Sequence, residues 1–360
     1  MTMIPGWPFG PAKDLGSGQF ARSCNGSRAL AGRRGGCNFL TKNFMATISL
    51  ICQMVQNVAL CRNVSFNLAG PMEISSIMGS FAGHVVPGTF FSLFAFWWTW
   101  KVFHRFFLCQ RSAAVGEKGH RNRYLNTASF TCSACQGRLP IEGILKIVAV
   151  ILGMIGEFAT GFEDGKFTHI NNAQHMTMFF FFGMNGVMDL LNFYRVPLPP
   201  DLDYVSAVLG FCMEGLLFYY HLHGRAPMDV QVHMLLFYVV ACCAISTALE
   251  MKYKHNVLPA LGRIYFTLLQ GTWFYQIGFI LYPPGAEPWS QHDHRQMMIV
   301  TLVFAWHNAV IFVFMALAGT LIYMRVKKLD PGHMYQNVNL ITKSEALHLS
   351  KYDAERVRHI

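Results

Sequence analysis

Residues 203–250 read DYVSAVLGFCMEGLLFYYHLHGRAPMDVQVHMLLFYVVACCAISTALE, two long apolar runs joined by a short polar connection. The runs, at 203–222 and 231–250, are long enough to cross roughly 30 Å of hydrocarbon as helices. Their apolar residues are continuous and do not alternate with polar ones, which favours helices over the strands of a barrel. This stretch therefore predicts a pair of membrane-spanning helices.

The composition of the whole chain supports the same class. Of its 360 residues, 53% are hydrophobic and only 13% are charged, and the mean hydropathy is +0.30. These values are too apolar for an ordinary soluble domain. Comparable apolar windows occur at 82–101, 141–161, 174–194, 261–282 and 297–324. The sequence thus predicts an all-α fold, a seven-transmembrane-helix bundle that occupies residues 78–325.

Basic residues are unevenly distributed between the connections. They are concentrated after the first, fifth and seventh windows, whereas the other connections carry acidic residues and few basic ones. The positive-inside rule then places the C-terminus in the cytosol and the start of the first span in the lumen or outside the cell. We interpret the net charge of +10 as a determinant of topology and predict no binding to nucleic acid.

The two ends of the chain differ from the apolar middle. Residues 1–77 are Gly-rich and basic, and we interpret them as an atypical, poorly ordered extension in which 44–61 is a weak candidate for an eighth helix. Residues 326–360 are polar and are predicted to form a cytosolic tail. Cys132 and Cys135 form a lone CxxC, without the second pair that a paired zinc motif requires.

Polar residues recur at matching ends of the predicted spans. Four spans begin near a histidine, and the other three carry Glu or Gln near their end. The histidines are His84, His175, His233 and His294. The Glu and Gln residues, which we call their partners, are Glu157, Glu214 and Gln276. Each partner precedes the next of these histidines by 18 or 19 positions. In helices of alternating direction, all of these groups lie near the lumenal face. Ionisable side chains at membrane depth suggest a functional site.

We expect one group of these residues to converge in the lumenal half of the bundle. The ligand or metal candidates are Glu157, His175, Glu214, His233 and His307, and the accessory candidates are His84, His221, His223 and Gln276. Zinc is the cofactor to consider, because carboxylates and neutral imidazoles are common zinc ligands. Two alternatives remain open: a purely structural network of interhelical hydrogen bonds, and haem or proton chemistry.

No enzyme signature is present in the sequence. It contains no GxSxG elbow, no Walker loop and no HExxH helix, so the catalytic residues stay unknown. A zinc-assisted hydrolase or a metal transporter is one function class, and in a hydrolase Glu157 or Glu214 would act as the base on metal-bound water. A non-catalytic trafficking or scaffold protein is the other. The lipid bilayer is the only partner that the sequence predicts.

Several longer motifs resemble the transmembrane protein 45 family. They are Gly83-His84 with Pro87-Gly88, QHMTM at 174–178, MEGLLFYYHLHGR at 213–225, QGTWFYQIGF at 270–279, Tyr282-Pro283-Pro284 and Trp306-His307. The resemblance covers about residues 78–325. It implies a multi-pass protein of Golgi or endosomal membranes without a settled activity. It also carries over every ligand, metal and accessory candidate named above, whereas His294 departs from the family pattern.

Overall fold

The computed structural model describes residues 71–115, 124–131 and 139–329, with side chains from residue 81. Within these ranges the chain forms helices and one short hairpin: α1 Pro71–Val115, α2 Ile141–Thr160, β1 Phe162–Glu163, β2 Lys166–Phe167, α3 Ile170–Phe193, α4 Leu202–His221, α5 Pro227–Lys252, α6 Val257–Leu281 and α7 His294–Lys327. Helix α1 continues to Val115, beyond the predicted end at residue 101, because residues 102–115 contain no Gly or Pro that would end a helix.

Some predictions concern residues outside the described ranges. The possible helix at 44–61, the CxxC of Cys132 and Cys135, and most of the C-terminal tail all lie there. The same holds for residues 1–70 of the predicted extension, whereas α1 already begins at Pro71. The extension and the tail therefore stay predictions.

Local sequence explains where several helices begin. Pro227 opens α5, a position where its missing N–H costs no intrahelical hydrogen bond. The side chains of Asn256 and Asp293 cap α6 and α7 by accepting hydrogen bonds from the backbone N–H groups two residues further on. Between β1 and β2, Asp164 and Gly165 both have positive φ, as a tight two-residue hairpin turn requires.

Four helices are long and apolar enough to cross a membrane: α2, α4, α5 and α7. The other three also exceed the length of a span, but they carry polar side chains that are buried against neighbouring helices. Examples are Asn185 and Asp189 on α3, and Arg263 and Gln270 on α6. The predicted helical membrane fold is confirmed at this level. Seven spans and their orientation stay predictions.

Six helices follow one another around a common interior. Helix α1 packs against α6, which is followed in turn by α5, α4, α3 and α2. Helix α7 lies outside this ring, against α1 and α6. Its outer side chains, including Trp306, Val310 and Phe312, are more than half exposed, as expected for a surface in contact with lipid. We refer to α1–α6 as the ring.

Helices α1 and α6 approach each other closely at two glycines. A Cβ atom added at Gly88 would lie 2.9 Å from the carbonyl oxygen of Gly271, and one added at Gly271 would lie 2.5 Å from Ser92 Oγ. Larger residues at either glycine would push the two helices apart. Small residues serve this purpose in membrane bundles, where close van der Waals packing drives helix association. Helix α6 thus packs tightly between its neighbours, and its side chains Trp273 and Ile277 are fully buried.

Candidate functional site

His84 on α1 and His233 on α5 face each other at one end of the ring, with their Nε2 atoms 3.5 Å apart. His233 Nδ1 lies 2.7 Å from Asp229 Oδ1 and 2.9 Å from the carbonyl oxygen of Asp229. Both of these oxygens are acceptors, so Nδ1 carries a proton and donates it. The Nε2 atom of His233 faces His84, and either ring can be the donor in that contact.

His221, at the end of α4, lies beside this pair. Its Nδ1 is 2.6 Å from Gln174 Oε1, and its Nε2 contacts the guanidinium of Arg225. Because Arg225 can only donate, Nε2 accepts and Nδ1 donates to Gln174, which defines a neutral His221 ring. Arg225 also donates to Asp229 Oδ2 over 2.9 Å. His221 is therefore held between an acceptor on α3 and a donor in the α4–α5 connection.

Glu157 and His175 extend these contacts to α2. His175 Nδ1 lies 3.2 Å from Glu157 Oε1, and the His175 ring centroid lies 5.5 Å from that of His221. The contacts thus link the ends of α1, α2, α3, α4 and α5. We call the following set the histidine network: His84, Glu157, Gln174, His175, His221, Arg225, Asp229 and His233.

Glu214 and His307 do not join the histidine network. Glu214 is seven residues before His221, roughly 10 Å deeper along α4, and its Oε1 accepts from Gln270 Nε2 over 2.7 Å. His307 Nδ1 lies 3.2 Å from Thr272 Oγ1, where α7 packs on α6. From the spacing of residues along each helix, we predicted that both side chains lie in the lumenal half with the other candidates. The structure differs because the neighbours of these two side chains depend on how the helices pack, which the spacing does not give.

The remaining candidates lie at the edge of this region or on its surface. Gln276 is half-buried on α6. His223 is exposed, and its ring stacks on Tyr220 of the preceding turn. His294 is exposed at the first position of α7. None of the contacts described above joins these three side chains to the histidine network.

The described residues contain no group of three or more His, Cys, Asp or Glu side chains that is placed to hold a metal ion. The hydrogen bonds explain why. Both ring nitrogens of His221 already contact protein groups, and His175 Nδ1 faces Glu157. These nitrogens are thus engaged with protein groups in the structure.

A second polar network lies at the opposite end of α2, and the sequence analysis did not identify it. Buried Glu142 accepts from the indole N–H groups of Trp97 and Trp98, over 3.1 and 2.9 Å, and lies 3.1 Å from Lys146 Nζ. Lys146 donates to Asp189 Oδ2 over 2.6 Å and so links α2 to α3. The signal in the sequence was a Glu and a Lys four residues apart inside an apolar window, on one face of a helix.

Arg263 and Glu250 complete this second network. Arg263 Nε donates to Glu250 Oε2 over 2.6 Å, and the Tyr204 hydroxyl donates to Glu250 Oε1 over 3.1 Å. The Arg263 guanidinium also lies 4.2 Å from the centre of the Trp98 ring, a distance suited to a cation–π contact. We call the following set the ion-pair network: Glu142, Lys146, Asp189, Glu250 and Arg263.

A cavity of about 90 Å³ lies inside the ring, next to the ion-pair network. Its lining includes residues from each ring helix, α1 through α6, and the lining residues include none from α7. Its polar lining residues are Lys146, Asn185, Tyr204, Thr247 and Arg263. Its walls are mainly aromatic, with Phe90, Phe91, Phe94, Phe179, Phe182 and Phe211. The cavity was not foreseen from the sequence, because residues from 87 to 263 contribute to it.

Apolar helices with lipid-exposed outer faces and charged residues paired inside the bundle define an integral membrane protein. Residues 200–319 match the model of a family of unknown function, DUF716. The chain is 25% identical over 242 residues to transmembrane epididymal protein 1 of Rattus norvegicus, which covers 64% of this chain and 76% of the relative. Transmembrane epididymal protein 1A of Mus musculus is 26% identical over the same shares. The Homo sapiens protein 1 is 29% identical over 181 residues, 47% of this chain and 66% of its own length.

These comparisons correct one prediction. The motifs were interpreted as a resemblance to the transmembrane protein 45 family, and that prediction is wrong, because the matches are to DUF716 and to transmembrane epididymal proteins. The names of the relatives support a transmembrane protein. They do not support the Golgi or endosomal location that the resemblance implied.

Proposed function

We propose that this membrane protein binds a hydrophobic molecule in the cavity inside the ring. The observation that carries the proposal is the composition of the lining, in which every ring helix contributes residues and the walls are formed mainly by phenyl rings. Ligand pockets are typically lined by apolar and aromatic side chains, with a small number of polar groups. The lining of this cavity has that composition.

The polar side chains of the lining already have protein partners. Lys146 contacts Glu142, Asp189 and Asn185, and the Asn185 amide donates to the carbonyl oxygen of Asp203 and to Ser206 Oγ. A polar ligand would have to displace such bonds, which costs the desolvation of both partners. An apolar ligand displaces none of them. The lining therefore favours hydrocarbon over a sugar, a nucleotide or an amino acid.

The histidine network has a structural role in this proposal. Its hydrogen bonds tie the ends of α1 through α5 together at a depth where burial of apolar surface gives little drive for helix association. The His221 ring is held by an acceptor, Gln174 Oε1, on one side and a donor, the Arg225 guanidinium, on the other. This role corresponds to the alternative drawn from the sequence, a non-catalytic membrane protein with a structural polar cluster. Zinc has no part in the proposal.

The proposed topology has seven spans, with the C-terminus and the connection between α1 and α2 in the cytosol. Helices α1, α3 and α6 are each longer than the roughly 20 residues of a span and pack alongside the four candidate spans. The basic residues of the connections support the orientation. The histidine network then faces the lumen or the cell exterior. A Golgi or endosomal location has lost its support with the family resemblance and is not proposed.

Filling the cavity tests the proposal. We expect Ala207→Trp, in the lining on α4, to weaken the binding of xenon to purified protein, followed by xenon NMR, by about tenfold, because xenon is an apolar probe of small cavities. Ile155→Trp is the matched control, because the Ile155 side chain on α2 is 60% exposed. This variant should bind the probe as the wild type does. Both variants must elute as the wild type does in size-exclusion chromatography. Equal binding by all three proteins would overturn the proposal.

A further inference from the structure

Helices α1 and α2 close the ring through few contacts. Their clearest junction is at the ion-pair network, where Trp97 and Trp98 donate to Glu142. Further along, Phe90 and Phe94 of α1 and Val150 of α2 line the cavity from the two sides of this junction. We call the loosely packed stretch between these three residues the α1–α2 seam.

The outer side of the seam borders lipid in the part of the chain that the structure describes. Helix α2 packs mainly on α3, whereas α1 packs mainly on α6 and α7, so no described helix packs closely against both sides of the seam. The outward residues of α2, such as Ile151 and Ile155, are at least half exposed. Among the described helices of the ring, the seam is thus the most loosely packed place between the cavity and the hydrocarbon of the bilayer.

We propose that the cavity takes a long acyl chain, which enters sideways from the bilayer through the α1–α2 seam. The inference rests on the proposed function and adds the class of ligand and its route. The observation behind it is that the aromatic cavity lies beside α1 and α2, the pair of neighbouring ring helices that pack most loosely.

The size of the cavity selects a chain over a rigid molecule. Its volume of about 90 Å³ is smaller than the roughly 150 Å³ apolar cavity that holds a benzene molecule. Only a segment of a larger ligand therefore fits inside the ring, and the remainder lies in the seam and the bilayer. A flexible chain can pass through a narrow seam and leave its polar end outside. A fused ring system cannot bend in this way.

Phospholipids and free fatty acids both supply such a chain. The walls contact hydrocarbon only, and Lys146 and Arg263 are already paired with carboxylates of the protein. The lining consequently selects an acyl chain over polar ligands. It does not distinguish the acyl chain of a phospholipid from that of a free fatty acid. The experiment separates these two sources.

Photolabelling in a bilayer tests the inference. The full-length protein is reconstituted into phosphatidylcholine bilayers that contain either a phosphatidylcholine with a diazirine in its acyl chain or a diazirine fatty acid. Labelled positions are then mapped by mass spectrometry. We expect label on Phe91 and Phe182, which both line the cavity. The centroids of their phenyl groups lie 5.5 Å apart, so one bound chain can reach both. Label from the phospholipid, from the fatty acid or from both identifies the source.

Substitutions in the seam provide the control. Ala149→Trp, in the lining on α2, should lower the label on Phe91 and Phe182 by about tenfold, whereas Ile155→Trp on the exposed face should leave it unchanged. If Ala149→Trp does not fold, Val150→Phe takes its place. Label confined to exposed residues such as Phe312, with either probe, would overturn the inference.

The two proposals can fail separately. If xenon binds with the expected sensitivity to Ala207→Trp but neither acyl probe labels the ring interior, the acyl chain and the lateral route are rejected while the hydrophobic site stands. A sterol recovered with the purified protein and lost in Ala207→Trp would have the same meaning. Absence of both xenon binding and labelling rejects both proposals.

Discussion

Arg263 on α6 and Glu250 on α5 form an ion pair with a distance of 2.6 Å between Nε and Oε2, and their side chains are only 4% and 1% exposed. They lie 13 residues apart, on either side of the α5–α6 connection. Inside an apolar bundle each charge depends on the other, because a lone buried charge has neither water nor a counter-ion to stabilise it. The pair therefore holds α5 and α6 in one register.

Removing one partner of this pair should be more damaging than removing both. We expect Arg263→Met to lower the free energy of unfolding by about 3–5 kcal/mol, because Glu250 is left buried and uncompensated. The double variant Arg263→Met with Glu250→Met should recover part of that loss. Thermal unfolding of the detergent-purified proteins provides the measurement. Arg325→Met, at an exposed position on α7, is the control; a double variant less stable than Arg263→Met would contradict the prediction.

Removing the buried histidine of α5 should weaken the histidine network. His233→Ala breaks the contacts to Asp229 and His84, so we expect a loss of about 1–3 kcal/mol. His223→Ala, at an exposed histidine, should change stability by less than about 0.5 kcal/mol. The unfolding midpoints of the two variants are compared in the same detergent. Similar midpoints for both variants would show that the network contributes little.

The zinc alternative has a direct test. Because the described residues place no three ligands around one point, we expect purified protein to contain far less than about one zinc ion per chain. Metal content is measured by mass spectrometry after dialysis against a weak chelator. About one zinc ion per chain in the wild type, lost in both His233→Ala and Glu214→Ala, would restore the metal site and reject the structural role.

Glycosylation can report the proposed orientation. A flexible segment with an Asn-x-Thr acceptor, inserted between Asp164 and Gly165 of the hairpin turn, should be glycosylated in cells. The same segment inserted after Lys328 should not be. Asn25 and Asn63, which lie in Asn-x-Ser sequences, are first replaced by Gln to remove their signal. The reverse pattern would invert the topology, and modification at both insertions would exclude an odd number of spans between them.

The α4–α5 pair shows how much of the fold the sequence determines. The predicted windows 203–222 and 231–250 correspond to Leu202–His221 and Pro227–Lys252. An apolar run in hydrocarbon must satisfy its own backbone hydrogen bonds, so it becomes a helix whatever surrounds it. Gly224 and Pro227 punctuate the connection, the glycine with a φ of +79°. The end of α1 was predicted less well, at residue 101 instead of Val115. The prediction ended the span where apolar residues give way to basic ones, but no residue there ends the helix itself.

The proximity of Glu157 to His175 also followed from the sequence. Helices α2 and α3 are joined by a short hairpin, so the end of one must lie beside the start of the other. The same reasoning does not extend to Glu214 or His307. Each bonds to α6, at Gln270 and Thr272, a helix more than 30 positions away along the chain.

The sequence by itself determined that the apolar windows form helices in a membrane, and it predicted that His84, His175 and His233 lie toward one end of the bundle. These follow from local hydropathy and from the alternating direction of consecutive spans. Only the tertiary structure decided that α7 lies outside the ring, that charged residues pair across α2–α3 and α5–α6, and that a cavity remains between the helices. Those features depend on side chains that meet from distant parts of the chain, where the close approach permitted by Gly88 and Gly271 sets which helices become neighbours.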